Sequence, residues 1–141
     1  MKPPTCEWVE KAEGDWYTAL RELRARAHPN PDAVCFHAQQ SAEKYLKALL
    51  QERELVFPRT HALDLLVSLL AAAEPSWEGL RLRLRKLSEG AVALRYPGES
   101  ADMKMAREAL ATCREVRRRA RLNLGLSTRR RSYSRRRRTR R

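Results

Sequence analysis

Val9, Ala12, Trp16, Ala19, Leu20 and Leu23 recur every three or four residues, which gathers them on one side of a helix over about 6–27. The His28-Pro29-Asn30-Pro31 stretch ends it, because a residue before proline is pushed out of helical geometry. Asp32 is available to cap a second helix over about 32–53. Phe57-Pro58-Arg59 breaks the pattern, Thr60 offers another cap, and Leu63, Leu66, Leu69, Leu70 and Ala73 mark a third helix over about 60–73. Residues 80–85 alternate leucine with arginine like a strand, yet Leu80, Leu84, Leu87, Ala91 and Leu94 fit a helix over 77–94, leaving Leu82 as the misfit. After the Arg95-Tyr96-Pro97-Gly98 turn, with Ser100 as a cap, Met103, Ala106, Ala109, Leu110, Cys113, Val116 and Ala120 line a fifth helix over 101–122. Five helices on short connections, with no partner for a lone strand, predict an all-α, antiparallel up-and-down bundle. Trp16, Leu20, Leu46, Leu49, Leu66, Leu69, Leu84, Leu87, Leu110 and Cys113 are its expected core.

At 141 residues the chain suits one domain that needs neither disulfide nor metal. Charge divides it. Of 30 basic residues, nine are arginines within 129–141, leaving residues 1–128 with 21 basic against 17 acidic side chains, a net of +4. The expected division is a helical body over 1–126 and a disordered arginine-rich tail over 127–141. Arg129, Arg130, Arg131, Arg135, Arg136, Arg137 and Arg138 would attract phosphate backbones without reading bases. No segment approaches the roughly 18 apolar residues of a membrane helix, and the N-terminus lacks an apolar signal core, so cytoplasmic residence is the expectation. Cys6, Cys35 and Cys113 are too few and too scattered for a disulfide framework or a zinc site, and no metal or cofactor is expected.

The second helix carries the densest chemistry. At about 100° per residue, Cys35, Ala42, Leu46 and Leu49 form its apolar stripe, and Gln39 falls near the centre, where a long amide needs a partner. His37, Gln40, Lys44 and Lys47 lie on the other side, with Glu43 at the border beside Phe36. His61 and Asp64 are spaced for an imidazole–carboxylate contact. No phosphate-binding glycine loop, zinc-protease helix or nucleophile elbow is present. Arg21 and His28 have the spacing of an arginine–histidine ribonuclease pair, in which the imidazole moves protons and the guanidinium holds phosphate. Pro29 follows at once, however, and an arginine-rich chain produces such matches by chance.

The run Phe36-His37-Ala38-Gln39-Gln40-Ser41-Ala42-Glu43-Lys44-Tyr45-Leu46-Lys47-Ala48-Leu49 resembles the signature helix of the HEPN domain, the higher-eukaryote and prokaryote nucleotide-binding domain. Trp8, Ala12 and Asp15, His61-Ala62-Leu63-Asp64-Leu65, and Arg95-Tyr96-Pro97 extend the likeness over about 6–122. The resemblance implies a helical bundle, commonly dimeric, often paired with a small nucleotidyltransferase in a two-component or toxin–antitoxin system. Many such proteins cleave RNA through an Arg-x4-6-His motif near the C-terminus, but here no histidine follows position 61. The expected function is therefore a non-enzymatic, nucleotide- or nucleotidyltransferase-associated protein. The alternative is an RNA-binding protein or metal-independent ribonuclease. His37, Gln40, Lys44, His61, Arg95 and Tyr96 are expected to border a polar groove for a phosphate-bearing group or the partner, and a homodimer is expected.

Overall fold

The computed structural model of the protein describes residues 1–129. Its elements are α1 (Pro3–Leu23), α2 (Pro31–Glu52), α3 (Leu63–Ala73), a 3-10 helix (Pro75–Leu80) leading into α4 (Arg81–Ala93), and α5 (Met103–Asn123), with no strand among the described residues. The all-helical expectation holds, while the ends of the helices move for local reasons. Proline at the start of α1 needs no N–H partner and has its φ preset, so the helix begins at Pro3 rather than 6. It stops at Leu23 rather than 27, and His28, just before Pro29, sits at φ 47°.

Three caps differ from the expected ones. Asn30, not Asp32, caps α2 by accepting from the Ala33 N–H at 3.2 Å, with Pro31 in the first turn. Asp32 instead accepts from the Ala101 N–H at 2.7 Å and ties the start of α2 to the approach of α5. Thr60 Oγ1 accepts from the Ala62 N–H in a local turn, and α3 begins three residues later. Asp102, rather than Ser100, caps α5 through the Met105 N–H at 2.8 Å. Trp77, wholly buried, anchors the 3-10 helix by donating its indole N–H to Glu74 Oε2 at 2.9 Å.

Helix α2 runs through the middle, packed against α1, α3, α4 and α5. From Ser41 to Leu50 every side chain except Lys44 is buried, so the one-sided stripe expected for this helix is in fact a nearly complete buried belt that takes in Ser41, Glu43 and Lys47. Ala12 and Ala19, fully buried on α1, let the two backbones approach closely enough for the Ser41 hydroxyl to donate to the Ala12 carbonyl at 2.9 Å. Of the ten expected core residues nine are buried; Leu69 is half-buried because α3 turns Leu63, Leu66, Val67 and Leu70 inward. Leu82 is exposed, as its misfit to the pattern requires.

The end of α5 reverses sharply. Gly125 at φ 71° allows the Leu126 N–H to reach the Arg121 carbonyl and the Gly125 N–H to reach that of Leu122, closing the helix in a paired-bond cap. Leu126 then packs back on the core. Of the expected nucleic-acid contacts only Arg129 lies within the described residues; Arg130, Arg131, Arg135, Arg136, Arg137 and Arg138 lie outside them.

Candidate functional site

The strip of α2 left open between α1 and the α2–α3 connection carries Phe36, His37, Gln40 and Lys44. Asp15 of α1 forms one border. His37 Nδ1 lies 2.8 Å from Asp15 Oδ1, and Lys44 Nζ donates to Asp15 Oδ2, so one largely buried carboxylate orients both bases. A carboxylate only accepts, which places the proton on His37 Nδ1.

The other border is His61. Its Nδ1 lies 2.7 Å from Oε1 of the buried Glu43, while the side chain is 71% exposed and Nε2 has no partner among the described residues. Glu43 Oε2 lies 3.9 Å from Lys47 Nζ, which sits 5.4 Å from the centre of the Trp8 ring. Glu43 and Lys47, expected at the polar margin, are thus enclosed and serve as support. Gln39 has the partner its position demands: its amide donates to the His61 carbonyl at 2.9 Å and accepts from Gln40 at 2.7 Å. Ser88 of α4 accepts from the Leu63 N–H at 2.9 Å and fixes the entry of α3 beside it. Asp64 does not meet His61; it faces Arg85 at 3.7 Å.

One end of the strip is closed by cation–aromatic contact. The Arg95 guanidinium lies 5.7 Å from the Phe36 ring centre, and that ring meets His37 edge-on at 5.1 Å. Tyr96, next along, is exposed. Arg21 and His28 do not form a comparable pair: Arg21 turns back to its own helix, 3.5 Å from Thr18 Oγ1, and His28 lies exposed in the connection after it.

A second polar assembly joins α1, α2 and α5. Glu13 receives a two-pronged bond from Arg117, at 3.0 and 2.8 Å, and a third from Arg121 at 2.7 Å; Arg121 also donates to the Tyr45 hydroxyl at 3.1 Å. Burial drives the Tyr45 phenol well above its ordinary value, against the opposing bond from Arg121, and keeps it neutral. Burial pulls the Arg117 guanidinium down, but the bond and charge of Glu13 outweigh this and hold it raised. None of Glu13, Tyr45, Arg117 and Arg121 was an expected site residue, though Arg117, one turn beyond Cys113 on the inner face of α5, signalled a buried charge in need of a partner.

The family model described as the HEPN domain matches residues 5–123. The chain belongs to the HEPN family. No curated protein and no solved structure matches it. In this HEPN protein the signature helix is the central α2, and its characteristic polar residues divide their tasks: Gln39 and Glu43 hold the α2–α3 connection, while His37 and Lys44 clamp α1. No helix among the described residues is long and apolar enough to cross a membrane, and no cluster of three or more potential metal ligands occurs among them.

Proposed function

We propose that this HEPN protein is non-enzymatic and presents the α2 strip, with His61 and Arg95, to a phosphate-bearing group carried by a small nucleotidyltransferase in a two-component or toxin–antitoxin pair. The observation that carries this reading is on α5: its inward arginines are paired with Glu13, and no histidine stands on that helix to move a proton. Family membership supports a nucleotide- or RNA-related role in general. His61, held by Glu43 through one nitrogen, keeps the other for a ligand; Gln40 adds oriented hydrogen bonds beside it, and Arg95 adds charge at the Phe36 end of the strip. Tyr96 edges the same groove.

Self-association belongs to the same proposal. A cavity of about 580 Å³ between α4 and α5 is walled by Leu87, Ala91, Leu94, Met105 and Ala109. Arg83 and Lys86 line it together with Glu89 and Glu108, both signs on one face, so a second copy across a two-fold axis would meet opposite charges there. The cytoplasm is the setting in which such a pair would act. The test is ATP titrated into the full chain by NMR beside an RNA cleavage assay. We expect shifts at His61 and Arg95 that vanish in Arg95→Glu, and no cleavage. Cleavage that disappears in His28→Ala would replace this reading with the ribonuclease.

A further inference from the structure

Between the C-terminal half of α1 and the middle of α5 lies an open cleft of about 340 Å³. Trp16, Tyr17, Arg24, Arg114, Arg117 and Arg118 line it, and among the described residues no carboxylate does. Arg114 and Arg117 sit over the same Trp16 ring, 5.6 and 5.2 Å from its centre, so the indole positions two guanidiniums without neutralising either. Glu13 is shared by Arg117 and Arg121, and Glu115 is shared by Arg118 and Arg119. Arg24 and Arg114 have no ion-pair partner among the described residues. On α5 the series 114, 117, 118 and 121 follows one helical face for about 10 Å, at 1.5 Å per residue.

Like charges gathered at helical spacing repel one another and destabilise the isolated chain, and a polyanion laid along them relieves that repulsion. The chain's own carbonyls already occupy some of the donors: Thr128 accepts from Arg117 Nη1 at 3.3 Å, and Ser127 accepts from Arg121 Nε. These are neutral acceptors where an anionic oxygen would bond more strongly.

We propose that the α1–α5 cleft binds the sugar–phosphate backbone of single-stranded nucleic acid, with Arg24 and Arg114 on phosphates and the partly open Tyr17 ring beneath a base. An acidic peptide is the poorer fit. Peptide docking draws on open apolar pockets, whereas Trp16 and Leu20 in this cleft are already buried beneath the arginines. A guanidinium row beside an aromatic ring is what a strand of phosphates and stacked bases uses. This inference is independent of the α2 groove, which lies beside Asp15 and His61.

The experiment uses the full chain and a fluorescein-labelled 12-nucleotide oligoadenylate, with anisotropy read over a series of salt concentrations. Arg24→Glu/Arg114→Glu should weaken binding by about tenfold and reduce the slope of log K against log salt by about 1.4, or 0.7 for each phosphate no longer neutralised. Arg59→Glu/Lys104→Glu changes the net charge equally but lies outside the cleft and should retain the slope. Both pairs are at exposed positions, so circular dichroism should show native helix in each. Oligoadenylate should also quench tryptophan emission in the full chain, and Trp16→Phe should remove that quenching. The tail contributes equally to every variant, so the difference between the two charge reversals reads the cleft alone. Equal affinity and slope for the two would overturn the proposal. So would a poly-glutamate peptide that displaces the oligonucleotide with the same dependence on Arg24 and Arg114.

Discussion

Replacing Glu13 by alanine removes the carboxylate that holds both Arg117 and Arg121. Arg117 is 7% exposed, so its guanidinium cannot turn into water without dragging α5 off Trp16. Losing one partner of a buried pair costs about 3–5 kcal/mol, because the surviving charge remains desolvated. Two guanidiniums depend on this one acid, which argues for the upper part of that range; the Tyr45 hydroxyl and the Thr128 carbonyl still accept one bond each. Against a total stability of about 5–15 kcal/mol this is a large fraction. It corresponds to a melting temperature lower by about 10–20 °C for a domain of this size. Thermal and urea melts followed by circular dichroism measure it. Glu115→Ala is the comparison, since Arg118 is half exposed and Glu115 partly so, and an open pair of this kind is worth about 1 kcal/mol or less. Glu13→Ala/Arg117→Met should recover part of the loss by removing a stranded charge together with its partner. A Glu13→Ala chain that melts no lower than Glu115→Ala would refute the claim that this assembly joins α1 to α5.

Thiol alkylation should follow burial. Burial pushes the Cys113 thiol up to about 12 and that of Cys35 up to about 11, the latter with help from Asp32 and Asp102. Iodoacetamide at pH 8 should therefore modify Cys6 first, with the order read by peptide mass spectrometry; Cys113 reacting as fast as Cys6 in the folded chain would contradict its placement. Acid should weaken the protein partly through Glu115, held near 2 by bonds from Arg118 and Arg119 against an ordinary 4.5. A lowered folded value means a contribution fully present above about 4.5 and lost as the pH falls toward 2, at most about 1 kcal/mol after screening. Glu115→Gln should flatten that part of the stability–pH curve, and an unchanged slope would show that the pair contributes nothing.

The apolar period located each helix because burial on one side selects side chains every three or four residues, and it failed where that premise failed. Helix α2 has neighbours on nearly every side, so Glu43 and Lys47 read as a wet margin when they are enclosed. Caps were misplaced by two positions each: Asp32 and Ser100 had a competitor in Asn30 and Asp102, α3 starts from Ala62 with no side-chain cap, and only the preset φ of Pro31 singles out Asn30. The pairing of Glu13 with Arg117 joins residues 104 apart, and no local spacing announces it. Even so, Arg117 needs a partner more than Gln39 does. A guanidinium one turn beyond Cys113 on the inward face of α5 costs more to desolvate than an amide, so it requires an acid from a facing helix. On α1 that acid must lie beside the Val9, Ala12, Trp16 stripe, and Glu13, adjacent to Ala12 and three residues before Trp16, meets the condition. Charge placed on an apolar period is therefore a long-range contact written locally, and in this chain it identifies the junction of α1 and α5 on which the arginine cleft is built.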